Sequence, residues 1–437
     1  MIDKNNLPPS WAIATFEDLL DYIQPTEYIV ASTEYDDKYK TPVLTAGKSF
    51  IKGYTNETNG IFDAVPVIIF DDFTTATQFV NFPFKVKSSA MKILKPTSDL
   101  VNIKLAFYFM QTVHLKNETH KRYWISEYSQ LSIPLPPHNE QQRIFYKIEE
   151  HFIILDKGIE SLKSAQQQLK IYRQSVLKWA FEGKFTNEKV VDGVLPKGWE
   201  LKKISEICDV VRGGSPRPAG DPKFYNGNIP FLKVADLTKD NKIYLHSFEY
   251  TIKEAGLQKT RKINPETLLL TNSGATLGVP KICMIDATMN DGVAAFLNLD
   301  KRSNLYCYYF WESKTGELRR INQGAAQPNL NTDIIKNYVI PYCSFEMQQK
   351  VVSQIESRLS VCDKILETIE TSLQQSQALR LSIIKKGFEG KLVKQNAKDE
   401  SAEILLAKIR AEIKKNNPDK PKKEVKIKTS KKKKELV

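Results

Sequence analysis

The chain has 437 residues, 41% of them apolar and 26% charged, with a formal net charge of +13. This composition suits a globular protein with room for two sizeable cores. No apolar run approaches the roughly 20 residues that span a bilayer, and Met1 to Trp11 lacks a basic-then-apolar leader, so a cytoplasmic protein is expected.

Charge is unevenly placed. Lys414 to Val437 carries eleven lysines against three acids, whereas residues 1–132 hold 13 basic and 15 acidic side chains and residues 186–339 hold 21 and 17. Bulk charge therefore does not make the body a nucleic-acid binder; such a surface must be a local patch or be shared with a partner. Cys208, Cys283, Cys307, Cys343 and Cys362 are scattered and include no C-x-x-C, and the five histidines do not cluster. Neither a disulfide framework nor a metal site is expected.

In chain order, a helix is expected over Phe16 to Tyr22, and strands over Ala64 to Phe70 and Lys85 to Lys92. Ile148, Phe152, Leu155, Ile159, Leu162, Leu169 and Val176 then keep the spacing of a heptad stripe, with no proline from Gln141 to Phe181. Further strands are expected over Thr267 to Thr271, Val279 to Ile285 and Val293 to Leu299, and a helix over Tyr306 to Arg320. Gly-rich turns lie at 212–216, 273–278 and 324–328. A second stripe follows: Ile355, Leu359, Cys362, Leu366, Ile369, Leu373 and Ile383. Each long helix should run about 40 residues, about 60 Å. Their seam residues should pair in an antiparallel coiled coil, whereas Arg173 and Arg380, late in each stripe, read as solvated or facing a partner.

The two stripes belong to one duplicated segment. Ile133 to Phe185 aligns with Ile340 to Leu392 at a constant offset of 207, sharing Ile-Pro (133–134, 340–341), Gln-Gln (141–142, 348–349) and Phe-Glu-Gly-Lys (181–184, 388–391). A fainter repeat pairs Leu7-Pro8-Pro9-Ser10-Trp11 with Leu195-Pro196-Lys197-Gly198-Trp199. The fold class is thus α+β: two mixed domains alternating with two paired helices, with an internal pseudo-twofold. The segments are 1–132 (first domain), 133–185 (central helix), 186–339 (second domain), 340–395 (distal helix), and 396–437 (a short helix with a lysine-rich tail). The tail reads as disordered and adds non-specific phosphate attraction.

Catalytic patterns are missing. Gly47-Lys48-Ser49 ends like a P-loop, but Pro42 stands where its leading glycine belongs. Neither a dinucleotide fingerprint, an Asn-Pro-Pro-Tyr-type methyltransferase element nor a Gly-x-Ser-x-Gly elbow is present. Asp71 and Asp72 adjoin at a strand end, where neighbouring side chains point oppositely, so they are a poor shared metal site. The chain reads as a recogniser without catalytic residues.

The order and spacing of these segments resemble the specificity subunit of type I restriction–modification systems. Ile133-Pro134-Leu135-Pro136-Pro137-His138-Asn139-Glu140-Gln141-Gln142 resembles that family's entry to the conserved helix. Arg212-Gly213-Gly214-Ser215-Pro216, Ile229-Pro230-Phe231-Leu232-Lys233 and Phe70-Asp71-Asp72-Phe73-Thr74-Thr75 resemble segments of its recognition domains. The second copy departs at Tyr342-Cys343-Ser344. The resemblance implies that each domain reads half of a split target in double-stranded DNA and that the helices set the spacer. Two adenine-N6 methyltransferase subunits would dock on the helices, and restriction–translocation subunits would join them. S-adenosylmethionine, ATP and Mg would serve those partners, with no cofactor or metal on this chain.

Base reading needs Arg or Lys for guanine and Asn or Gln for adenine, and hydroxyls and glycine-turn amides suit phosphates. The expected DNA-binding residues are Thr45, Lys48, Thr74, Thr75, Lys121, Arg122 and Tyr123 in the first domain. In the second they are Arg212, Ser215, Arg217, Lys233, Thr271, Ser273, Thr276, Gln327 and Asn329. Alternatives are a coiled-coil scaffold whose globular ends bind proteins, without salt-sensitive DNA affinity, and a metal-dependent nuclease, which the missing carboxylate pattern argues against.

Overall fold

The computed structural model describes residues 6–45, 47, 49–113, 115, 122–186, 193–274, 276–321 and 330–416. They form two compact units, Met1–Ser161 with Ser372–Val437, and Leu162–Thr371. Both mix helix and strand, as an α+β class requires.

The first unit runs through β1 (Ala12–Thr15), α1 (Phe16–Leu19), β2 (Leu20–Ile23), β3 (Thr41–Leu44), β4 (Ile51–Thr55), β5 (Val67–Asp71), β6 (Thr77–Val80), β7 (Lys85–Val86), β8 (Met91–Pro96), α2 (Ile103–Met110), α3 (Tyr123–Ser126) and β9 (Ser132–Leu135) into α4 (His138–Phe181). A four-stranded sheet has the order β2-β8-β5-β6, beside a three-stranded sheet β4-β3-β7 and a β1-β9 ladder. The sequence Val67-Ile68-Ile69-Phe70 is buried throughout because β5 is central. Pleating sends Ile68 and Phe70 into the core shared with the helices, and Val67 and Ile69 into a second core with Leu44 and Phe84.

Two expected elements are corrected here. The helix over Phe16 to Tyr22 stops at Leu19, since Leu20 to Ile23 pairs with Pro96 to Ile93. The strand over Lys85 to Lys92 is broken at 87–90, because Lys85–Val86 pairs with β3 in one sheet while Met91 onward pairs with β5 in the other.

The second unit holds β10 (Glu200–Lys203), β11 (Asp209–Arg212), β12 (Tyr225–Leu232), α5 (Val234–Thr238), β13 (Tyr244–Leu245), β14 (Thr251–Ile252), β15 (Arg261–Ile263), β16 (Thr267–Thr271), β17 (Pro280–Cys283), β18 (Ala287–Met289), β19 (Val293–Leu297), α6 (Asn304–Ile321), α7 (Thr332–Asn337) and β20 (Val339–Tyr342), followed by α8 (Phe345–Phe388). Its main sheet has the order β11-β19-β16-β17-β13. Central β16 repeats the division seen in β5: Leu268 and Leu270 join the core under the helices, and Leu269 the opposite one.

The heptad helices are 44 residues each. In the first unit Ile144, Ile148 and Phe152 of α4 pack with Ile383, Ile384 and Phe388 of α8. In the second, Val176, Leu177 and Ala180 pack with Val351, Ile355 and Leu359. Arg380 bonds Asp156 in the first unit and Arg173 bonds Asp363 in the second. The residue numbers of both pairs add to the same total, so both units contain antiparallel pairing in one register. Arg173 and Arg380 are therefore cross-helix partners, not merely solvated side chains.

The same helix stop is built twice, once per long helix. Gly183 (φ +76°) approaches the Pro196 ring so closely that a Cβ would lie 2.2 Å from its Cγ, and Gly390 (φ +70°) approaches Pro8 at 2.4 Å. Only glycine tolerates both the left-handed backbone and the contact. The repeated Leu-Pro motif is thus the seat of the repeated helix end.

The first unit also holds α9 (Ala402–Asn416). It buries Ala402, Leu405, Leu406 and Ile409 in the cluster containing Ala12 and Ala14 of β1. The corresponding strand of the second unit, β10, carries Glu200 and Lys202 there, paired with each other at 3.4 Å. Small apolar residues face a covering helix, and a charged pair faces water. Residues 417–437, including most of the lysine-rich tail, lie outside the described residues.

Candidate nucleic-acid interface

The main sheet of the second unit brings three loops to one end. β11 and β16 both run antiparallel to β19, so the ends of the first two meet the start of the third. The loops are 213–217, 272–278 and 290–292.

The Arg212–Arg217 turn lies directly on the 290–292 loop. Gly213 N–H donates to Val293 O at 3.0 Å and Gly214 N–H to Met289 O at 3.1 Å. A Cβ on Gly213 would lie 2.1 Å from Asn290 O, and one on Gly214 2.6 Å from Lys259 O, which explains the paired glycines. Arg212 Nε donates to Asp291 O at 2.6 Å, Ser215 Oγ to Asp291 Oδ1 at 2.7 Å, and an Arg217 guanidinium nitrogen lies 3.7 Å from Asp291 Oδ2. Arg261 Nε donates to Arg212 O at 3.4 Å and adds a third exposed cation.

Lys233 reaches the same loop through its neighbours: Asn290 N–H donates to Leu232 O, and a Cβ on Gly292 would meet Val234 Cγ2 at 2.7 Å and Ser273 Oγ at 2.8 Å. The Lys233 ammonium itself lies over the Tyr250 ring, 3.3 Å from its centroid. Thr276 is half-buried in the 272–278 loop.

The first unit repeats this construction. The end of β5 and the starts of β6 and β8 meet, so the Asp71–Ala76 turn lies beside the exposed loop 87–90. Asp72 N–H donates to Ala90 O, and Lys87 N–H donates to Leu44 O, one residue from Thr45. Asp71 Oδ1 accepts the N–H groups of Phe73 and Thr74, both at 2.9 Å, presenting Phe73 (42% exposed) and Thr74 to solvent. Thr75 has φ +60° and donates its hydroxyl to Thr74 O. Thr45 closes the β3–β4 hairpin, accepting Gly47 N–H and donating to Ser49 O.

Buried Asp72 fixes the segment that follows Arg122. Its backbone O accepts Tyr123 N–H at 2.9 Å and its carboxylate accepts Trp124 N–H at 2.8 Å. Lys92 stands 3.8 Å away on the other side. Burial holds the Lys92 ammonium below its usual pKa; Asp72 opposes this and the Arg122 charge reinforces it. Arg122 is exposed beside this pair.

The structure thus gathers Arg212, Ser215, Arg217, Lys233, Ser273 and Thr276 about one loop, and Thr45, Thr74, Thr75 and Arg122 about its counterpart. Two expected contacts are corrected. Tyr123 is 1% exposed and Thr271 is fully buried. The Thr271 hydroxyl donates to Thr276 O and accepts Val279 N–H, so it closes the loop instead of facing a ligand. Lys48, Lys121, Gln327 and Asn329 lie outside the described residues. Sequence reasoning missed Lys87, Arg261 and the loop Asn290-Asp291-Gly292, although an Asp-Gly step between two strand-like runs marks a turn. Among the described residues no His, Cys, Asp or Glu cluster could hold a metal ion, and no helix is long and apolar enough to cross a membrane.

Comparison with known proteins agrees with this architecture. Residues 196–375 match the family model described as the type I restriction modification DNA specificity domain. The chain is 31% identical over 380 residues to the EcoR124I/EcoR124II specificity subunit of Escherichia coli, covering 82% of this chain and 90% of that one. The fold is similar to that of a chain from a structural study of complex assembly and conformational transition in a type I R-M system (TM-score 0.65, 17% identity, 88% and 99% of the two chains). It also resembles the HsdS subunit from Thermoanaerobacter tengcongensis (TM-score 0.50, 16% identity, 88% and 98%).

Proposed function

We propose a function from one premise: this chain belongs to the family of type I restriction–modification specificity subunits. It reads a bipartite sequence in double-stranded DNA, one half with the loops about 290–292 and the other with the loops about 87–90. The helices α4 and α8, which run from one unit into the other, set the spacer. Chemistry belongs to partners: two adenine-N6 methyltransferase subunits using S-adenosylmethionine, and restriction–translocation subunits using ATP and Mg.

The observation that carries this reading is the convergence of Arg212, Arg217 and Arg261 on glycine turns at one sheet end. Arginines near backbone amides suit base edges and phosphates respectively. A second observation supports helix-docked partners. Large apolar side chains stand exposed on the paired helices, among them Tyr146 (68%), Ile154 (63%) and Ile171 (68%). Such surface on a helix pair suits a partner's helices.

The test is DNA affinity of the chain with its modification subunits between 50 and 200 mM salt. The reading expects a steep fall, each cation on a phosphate adding about 0.9 to the log–log slope. Salt-insensitive or absent DNA binding would leave a protein-binding scaffold.

A further inference from the structure

Asp291 is an acid at the centre of a surface otherwise supplied with cations. Its Oδ1 accepts the Ser215 hydroxyl at 2.7 Å, its Oδ2 lies 3.7 Å from the Arg217 guanidinium, and its backbone oxygen accepts Arg212 Nε at 2.6 Å. Three side chains of one turn therefore end on one residue of another loop. Phosphate attraction alone gives no reason for this, because a carboxylate repels phosphates and cancels a cation. Direction does. The Arg217 side chain is 71% exposed and by itself would sample many rotamers, at an entropic cost on binding. A carboxylate beside it limits that freedom and keeps phosphate away, leaving the guanidinium for a base edge.

We propose that Asp291 is the positioning residue of the second domain's reading turn, aiming Arg217 and Ser215 so that this domain discriminates its half-site. The proposal rests on the DNA-recognition reading above. The counterpart loop in the first unit, Lys87-Ser88-Ser89-Ala90, contains no acid, so the effect is confined to one half of the target.

The experiment uses the full chain with its modification subunits and the split target found by mapping methylated adenines. Affinity is measured for that duplex, for duplexes with one base pair changed in either half, and for an unrelated duplex. Asp291→Ala is expected to lower discrimination in the second half about 5- to 100-fold, the range of one good bidentate base contact. Discrimination in the first half stays unchanged, and affinity for the unrelated duplex rises because an acid is gone. Asp291→Asn keeps an acceptor for Ser215 but not the charge beside Arg217, and falls between. Unchanged discrimination in Asp291→Ala would overturn the proposal, as would an equal loss on all duplexes with a lowered unfolding temperature, the mark of a merely structural role. If the wild-type complex itself fails to discriminate in the second half, the recognition reading of that domain fails, and the proposal with it.

Discussion

Replacing Gly213 by alanine tests the link between backbone packing and recognition. Its Cβ would lie 2.1 Å from Asn290 O and 2.5 Å from Met289 O. Both atoms are backbone, so no rotamer change relieves the contact, and the turn must lift by about 1.3 Å to reach ordinary van der Waals separation. That motion strains three hydrogen bonds: Gly213 N–H to Val293 O, Gly214 N–H to Met289 O and Arg212 Nε to Asp291 O. At about 0.5–1.5 kcal/mol each, their full loss would cost about 1.5–4.5 kcal/mol, less whatever water recovers at this half-exposed turn. The cations of the turn move with it, so a base contact worth about 1–3 kcal/mol is lost, a fall of about 5- to 100-fold in affinity. Equilibrium binding to the mapped target, with urea unfolding in parallel, separates the two effects. Gly274→Ala is the control: it sits in the neighbouring loop at φ +79° with nothing within 4 Å, so it carries about 1 kcal/mol of backbone strain without a steric push. Wild-type affinity and discrimination in Gly213→Ala would show that the turn's seating on the 290–292 loop does not govern recognition.

Other consequences concern stability. Gly158, inside α4, has open space where its Cβ would stand, so Gly158→Ala should stabilise by up to about 1 kcal/mol in urea unfolding. Buried Glu140 accepts the Trp11 indole N–H at 3.0 Å and the Gln395 amide at 2.5 Å. Its repeat position holds Met347, and there the Trp199 indole nitrogen has no partner among the described residues. Glu140→Met should cost about 1–3 kcal/mol for the stranded donors, measured by thermal unfolding, and no loss would show that water satisfies them. Burial raises the Asp18 carboxyl, but the Arg410 guanidinium and the Thr15 N–H more than reverse this and leave it below the usual aspartate value. A depressed acid stabilises above its unfolded pKa and loses that stability as pH falls through the folded value. The stability gap between wild type and Arg410→Ala should therefore be full at pH 7 and narrow as pH falls below about 4; a gap that does not narrow on acidification below that point would contradict the assignment.

The helices were legible because a heptad stripe and an uninterrupted proline-free run are local properties. The repeat also gave their antiparallel pairing, and the Asp156–Arg380 and Asp363–Arg173 bridges, one in each unit, record that register. The loops of the site were harder. Lys85 to Lys92 reads as one strand, and only the pairing of Val86 in one sheet and Met91 in another exposes the turn between them. Leu20 to Ile23 has helix-compatible spacing that pairing with β8 overrides. Thr271 and Tyr123 have the chemistry of ligand contacts, but their facing is set by strand pleat and by Asp72, which no local pattern reveals. Asp291 carries no local signal of its role, since an acid argues against DNA contact until its three partners are visible.

Whether this chain selects the methylated sequence is decided by mapping N6-methyladenine across the genome of cells that carry the modification subunit, with and without this chain. A specificity subunit yields a split motif methylated only when the chain is present, with Asp291→Ala relaxing one half of it. An active modification subunit that co-purifies with the chain but yields no chain-dependent motif would contradict it.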